Sequence, residues 1–243
     1  MFVLAQGLAS VDLRPSRARL EALTPQAERY LGKVVRGPVW DRLLREYYAE
    51  RVFIDIAVHR VAIWPDLTAS GEMETTGAAW PSLADPQPPP KNGTAPRVDV
   101  AKAARPIGAL PHRVLAYRGA DGFPVIVPVQ VAGHGRAGVR LAVPGGTLPP
   151  GGRRAGLLAH AYRPQLVGLS NRIFTGWLEV SEDGAVYAPH TSKGFMAPPS
   201  KNLLLVLNGL LAKYGLWQAR RHGTAERLER LTTENAAAKT NKS

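Results

Sequence analysis

The sequence predicts a mainly β, α+β chain, with a small antiparallel barrel or sandwich over roughly residues 100–195 and flanking helices. Three observations carry this. Val114-Leu115-Ala116-Tyr117 and the run from Phe123 to Val131 are apolar and joined by Gly119-Ala120-Asp121-Gly122. Asp-Gly between such runs marks a hairpin, because glycine tolerates the positive φ of a tight turn. A third run, Gly138 to Val143, stops at Pro144-Gly145-Gly146, and two more follow at Arg153 to His160 and Ile173 to Val180. Short strands separated by turns are the pattern of a small barrel or sandwich.

Taken in order, Phe2 to Val11 reads as a strand. Its Gln6-Gly7-Leu8-Ala9-Ser10-Val11 matches Thr175-Gly176-Trp177-Leu178-Glu179-Val180 as polar-Gly-apolar-apolar-polar-Val, a candidate internal repeat. Residues 16–31 are helix-compatible, and Pro25 is expected to start a second helical piece, because proline breaks a helix interior. Pro38 to Glu50 predicts a helix with Trp40, Leu43, Leu44, Tyr47 and Tyr48 on one face; that stripe reads as core before it reads as a stacking surface for a ring. Val52 to Val58 and Val61 to Trp64 predict strands with a tight link at His59-Arg60. From Pro65 the composition shifts, and Pro86-Gln87-Pro88-Pro89-Pro90 through Pro96 predicts an extended linker, since proline fixes φ and removes a donor. Tyr187 to Phe195 reads as a polar loop. Lys201 to Arg221 predicts one helix or two, with Asn208-Gly209 and Tyr214-Gly215 as weak points. An apolar helix of this kind covers a barrel face or forms a dimer contact. The domain reading is 1–84 for an N-terminal α+β segment, 85–111 for the linker, 112–223 for the barrel with its C-terminal helix, and 224–243 for a polar tail.

Composition narrows the function classes. The 243 residues with 45% hydrophobic content suffice for a sizeable core. The absence of cysteine removes disulfides, thiolate metal ligands and cysteine nucleophiles, and fits a cytoplasmic protein. No apolar run reaches the ~18 residues of a membrane span, and the N-terminus lacks the basic region of a signal peptide. The net charge of +12 favours anionic partners; with no helix–turn–helix, zinc-finger or RNA-binding aromatic signature, nucleic acid is a weak alternative. No Gly-X-Ser-X-Gly elbow, His-Glu-X-X-His motif or dinucleotide glycine fingerprint is present.

Asp121-Gly122-Phe123-Pro124, Pro128-Val129, Arg153-Arg154-Ala155-Gly156-Leu157-Leu158 and Thr175-Gly176-Trp177-Leu178-Glu179-Val180 together resemble the pyridoxamine 5'-phosphate oxidase-like family, the flavin-binding split barrels, over roughly residues 112–182. The resemblance implies a split β-barrel, FMN or a deazaflavin as cofactor, a small-molecule substrate, oxidoreductase activity and a homodimer that shares the cofactor. It also casts the N-terminal α+β segment as a partial second barrel, with the chain beginning late in that barrel.

The loop Pro149-Pro150-Gly151-Gly152-Arg153-Arg154 is the candidate phosphate site, because glycines expose backbone N–H groups and guanidiniums offer paired donors. By resemblance, Arg153 and Arg154 hold the cofactor phosphate with Arg140 as helper, and His160, Asn171 and Trp177 line the ring or the substrate side. Gly145-Gly146-Thr147 and Gly151-Gly152-Arg153-Arg154 depart from the family's Ser-X-Lys spacing at this place. The alternative is a non-catalytic barrel that binds a phosphorylated ligand or a protein partner.

Overall fold

The computed structural model describes residues 1–13, 15–49, 51–69, 71–143, 148–224 and 226–227. The Pro144 to Thr147 stretch and most of the 224–243 tail lie outside the described residues. In chain order the elements are β1 (Phe2–Asp12), α1 (Arg17–Leu31), α2 (Pro38–Ala49), β2 (Phe53–Trp64), β3 (Glu74–Gly77), α3 (Val100–Ala109), β4 (His112–Arg118), β5 (Pro124–Pro128), β6 (Gln130–Gly135), β7 (Gly138–Ala142), β8 (Gly151–Ala161), β9 (Ser170–Ser181), β10 (Gly184–Met196) and α4 (Lys201–Arg221). The fold is mainly β with helices, as the sequence predicts.

The chain groups into two compact units, one of Met1–Leu8, Ala57–Tyr162 and Leu169–Met196, the other of Ala9–Ile56, Arg163–Gly168 and the residues from Ala197 on. The first unit holds an antiparallel sheet in the order β5-β4-β8-β9-β10-β7-β6. Its two outer strands are adjacent in sequence. Val129 alone separates β5 from β6, and its N–H donates to the Arg113 carbonyl at 3.1 Å. One bent run thus lies along both edges of the sheet, which curls it into a barrel-like shell and leaves little free edge. Leu115, Val127, Val139, Leu141, Leu157, Phe174, Leu178 and Tyr187 fill the concave side, and Ala103, Ala104 and Ile107 of α3 pack onto them. Full burial of each large side chain contributes about 1.5–3 kcal/mol.

The sheet order β1-β2-β3 places a smaller apolar cluster of Leu4, Ala62, Trp64 and Ala69 in the same unit. Beside it Arg60, 6% exposed, lies 4.7 Å from the Trp80 ring and 5.4 Å from the Phe123 ring. Its guanidinium donates to Gln6 Oε1, Ala79 O and Asp121 Oδ2, while Gln6 Nε2 donates to Pro124 O at 2.6 Å. The Asp-Gly turn legible in the sequence is therefore fixed by a cation from β2. Burial pushes the Asp121 carboxyl up, but the Arg60 hydrogen bond and the Phe123 N–H outweigh it and hold the group below its ordinary range. A carboxyl depressed in the folded state contributes stability that is present above its unfolded value, about 3.9, and lost as pH falls through the folded value. Asp121→Asn is expected to lower the urea midpoint at pH 7 by an amount that shrinks below about pH 4. A deficit that stays constant with pH would contradict this account of the turn.

Four expectations change, and the alternative of one helix or two over Lys201 to Arg221 resolves to one. Helix α1 runs unbroken through Pro25. The proline takes one bond from the Glu21 carbonyl, but Glu21, Ala22 and Pro25 are exposed, so water replaces it. Ser16 caps the start, accepting from Arg19 N, and the Gly32 N–H closes the end on Glu28 O. Strand β2 has no link at His59-Arg60, because Arg60 is held by the partners just named. The expected polar loop from Tyr187 to Phe195 is the body of β10, paired with β9 from Gly184 to Met196 around one irregularity between Pro189 and Thr191. Its outer half is polar because it is exposed. Helix α4 continues through Asn208-Gly209 and Tyr214-Gly215. In the second unit, a Cβ on Gly209 would stand 2.8 Å from both Cγ and the carbonyl oxygen of Leu43, so this glycine sets the close approach of α2 and α4. The predicted face of α2 packs, with Leu44 fully buried, and Lys213 with Arg45 holds the Glu46 carboxyl down to about 2. Last, the segment expected as a linker contains α3 and is tied to the sheet, as described next.

The glycines of the candidate repeat sit at close strand approaches, as Gly77 and Gly138 do. A Cβ on Gly7 would lie 2.1 Å from Ala57 O, and one on Gly176 would lie 2.2 Å from Ala188 O. Both glycines admit a neighbouring strand's carbonyl where any side chain would collide.

Candidate functional site

Strand β8 starts before its neighbour. It pairs with β9 from Gly151, but with β4 only from Ala155 to His160. Over residues 151–154 its second edge is open, and the Pro-rich segment occupies it. The Gln87 N–H donates to Gly152 O at 2.7 Å, and Gln87 Oε1 accepts from the Arg154 N–H at 3.1 Å. Further along, the N–H groups of Arg97 and Val98 reach Pro189 O at 3.0 and 3.4 Å, and His190 Nε2 lies 3.4 Å from Thr94 O. Prolines suit this role, since an extended segment meeting a strand end needs few donors.

The segment so held forms one wall of an open cleft of about 570 Å³, lined also by residues of β4, β8, β9 and β10. Its floor is small: Ala116 and Gly156 are among the lining residues and are cross-strand partners. Arg97, Arg118, Arg154 and His190 stand round it. None of the three arginines has a carboxylate within 4.0 Å among the described residues. Arg97 donates to the Gly93 carbonyl at 3.3 Å. Thr175 lines the cleft and its hydroxyl meets that of Thr191 at 2.6 Å. Three guanidiniums without counter-carboxylates around a floor of small residues suit an anion carried on a flat body. The volume falls within the roughly 300–1,000 Å³ of small-molecule sites.

Gly156 bears on the fit. A Cβ there would find only Phe174 O, at 3.7 Å, so packing does not require glycine, and the space it leaves opens into the cleft. A flat phosphorylated cofactor matches both the arginines and this floor.

The structure sorts the residues named from sequence. Arg154 lines the cleft. Arg153, its neighbour, points the other way: it is 0% exposed and donates to Ala84 O, Pro149 O and Pro150 O at 3.2, 3.1 and 2.7 Å. Its guanidinium lies 5.6 Å from the Tyr117 ring, and burial pushes it below its ordinary value. Arg140 is exposed on β7 beside Gly133 and does not line the cleft. Trp177 is buried, with its indole N–H donating to Glu179 Oε2 at 2.9 Å. Asn171 Oδ1 accepts from the Phe195 N–H at 3.1 Å.

His160 stands opposite His112 on β4. Their ring centroids are 5.3 Å apart, and Tyr162 stacks on His160 at 6.0 Å. Burial, then the charge of His112, lowers the His160 pKa. Sequence reading missed Arg97, Arg118, Thr175 and His190. The available signal was the alternation Val114, Ala116, Arg118, which places Arg118 on the face that carries Ala116.

Comparison with protein-family models, curated proteins and solved structures returns no match. Among the described residues, no helix is long and apolar enough to cross a membrane.

Proposed function

We propose that the cleft binds a phosphorylated cofactor, FMN or a deazaflavin, and that the protein is an oxidoreductase of the pyridoxamine 5'-phosphate oxidase-like split-barrel kind, acting on a small molecule in the cytoplasm. The observation that carries the reading is the set of arginines facing the glycine floor without carboxylate partners. The family's split barrel is supported by the curled sheet and its bent β5–β6 run.

In this reading Arg118 and Arg154 bind phosphate oxygens, with Arg97 closing the cleft from the Pro-rich wall and His190 from β10. Ala116 and Gly156 leave room for a planar ring, and the ring supplies the redox chemistry when bound. The protein's part is to bind and orient, and no side-chain acid or base is required for that. Homodimer formation is part of the same proposal. The alternative is a non-catalytic barrel holding a phosphorylated ligand. It shares the cleft and differs in colour.

The test is a visible absorption spectrum of the purified protein with added FMN or deazaflavin, taken after gel filtration. A retained band with either cofactor supports the oxidoreductase reading. A colourless protein that still binds inorganic phosphate selects the alternative, and one that binds neither removes both. Gly156→Val provides a control that separates the ligand from the fold. Its side chain projects into the cleft, so cofactor binding is expected to weaken about 10- to 100-fold, the equivalent of ~1–3 kcal/mol of steric conflict. The thermal midpoint should change little. Unchanged affinity in titration calorimetry would place the ligand elsewhere.

A further inference from the structure

In the first unit, the sheet face that carries the cleft also carries a pair of histidines. Side chains alternate along a strand, so His112, Val114, Ala116 and Arg118 of β4 share a face, as do Arg154, Gly156, Leu158 and His160 of β8. The register sets Ala116 opposite Gly156, Val114 opposite Leu158 and His112 opposite His160. The two imidazoles therefore stand side by side, four residues along each strand from the cleft floor, a distance of about 13 Å at ~3.4 Å per residue. Val114 and Leu158 lie between. Neither histidine lines the cleft, and neither has a part in the cofactor site proposed above.

We infer that His112 and His160 together bind a divalent transition-metal ion of tetrahedral preference, with zinc as the type. Three observations carry this. The first is spacing. At a metal–nitrogen length of about 2.0–2.1 Å, with each nitrogen about 1.2 Å from its ring centroid, two imidazoles on one tetrahedral ion hold their centroids about 5.3 Å apart. The centroids of His112 and His160 are 5.3 Å apart. The second is that the rings are uncommitted. Among the described residues no carboxylate lies within 4.0 Å of either. Nδ1 of His160 is buried with no hydrogen-bond partner there, which leaves Nε2 as its ligating atom. The third is protonation. A metal takes the neutral imidazole, and burial, then the charge of His112, favours that form of His160. Two imidazoles this close resist being charged together, whereas one cation satisfies a lone pair on each. No third histidine or carboxylate joins them among the described residues, so the pair fills two positions on the ion and water fills the others.

The test uses the untagged full chain and zinc chloride alone, without flavin, so its outcome does not depend on the cleft. Titration calorimetry is expected to give one ion per chain. His112→Phe and His160→Phe each replace a ring by a ring, so the packing on Tyr162 is kept while the nitrogens are lost. Removing a group that only orients a metal ligand costs 10- to 100-fold in affinity, so removing a ligand is expected to cost at least ~10-fold. The double variant should bind no more weakly than either single one, because one remaining imidazole is no longer a chelate. A second readout needs no variant of this pair to fold. In the wild-type chain, zinc should shift the imidazole nitrogen resonances of two of the six histidines, and these should be His112 and His160. Absence of zinc binding, affinity that survives either phenylalanine, a loss confined to one of the two, or shifts at other histidines would each overturn the inference. The last outcome would mean that the 5.3 Å spacing is a plain ring contact.

Discussion

An Arg118→Ala/Arg154→Ala protein is expected to fold normally and to lose affinity for the phosphorylated ligand proposed for its cleft. Each guanidinium stands at the cleft without a carboxylate partner among the described residues, so removing it leaves no buried charge behind. A hydrogen bond to a charged group contributes ~1.5–3 kcal/mol, so two of them correspond to about 10²- to 10⁴-fold in affinity. The measurement is titration with FMN, deazaflavin and inorganic phosphate side by side, with the unfolding midpoint as control. Parallel weakening for all three would place the phosphate between these arginines. Weakening for none, with the fold intact, would sink the cleft assignment. If the ring cofactors weaken and inorganic phosphate does not, the arginines act on the ring rather than on its phosphate.

Arg153→Ala is expected to do the reverse: to unfold the protein readily while saying nothing about the ligand. The side chain is fully buried, and its donors satisfy the carbonyls of Ala84, Pro149 and Pro150. Truncation empties that volume and strands three acceptors. Losses of this kind cost about 3–5 kcal/mol, a large part of the 5–15 kcal/mol that holds a typical domain. The urea midpoint should fall sharply. Arg154→Ala, one residue away, should leave it within about 0.5 kcal/mol, as exposed substitutions do. An Arg153→Ala protein of normal stability that has lost phosphate binding would mean that the arginine turns outward in solution. For the same reason, changing Arg153 and Arg154 together is a poor test of the cleft, since it mixes a core lesion with a binding one.

The hairpin from His112 to Pro128 was legible because its determinants are local. Asp121-Gly122 supplies the turn, apolar runs supply the strands, and Gly122 takes the positive φ expected of it. The face of α2 was legible because five apolar residues repeat at helical spacing, and Leu44 among them is fully buried. Features that depend on partners distant in sequence misled. Pro25 and Gly209 signal breaks by propensity, but one lies where water serves the freed carbonyl and the other where a second helix must approach. The polar stretch from Tyr187 to Phe195 looks like a loop because its outer half faces solvent, although its backbone is paired with β9 on both sides of one irregularity.

The amino-acid sequence by itself determined a mainly β chain with a basic surplus, a hairpin at Asp121-Gly122 and an arginine pair next to glycines. Tertiary structure alone decided which arginine faces the cleft. Along a strand successive side chains point to opposite sides, so Arg153 and Arg154 must part, one to the core and one to the cleft. Nothing local sets that phase: two glycines precede the pair, and Ala155-Gly156-Leu157-Leu158-Ala159 after it is small or apolar at every position. The phase is set by the register of β8 against β4 and β9. The same register leaves the start of β8 open for the Pro-rich segment, and so builds the wall that carries Arg97.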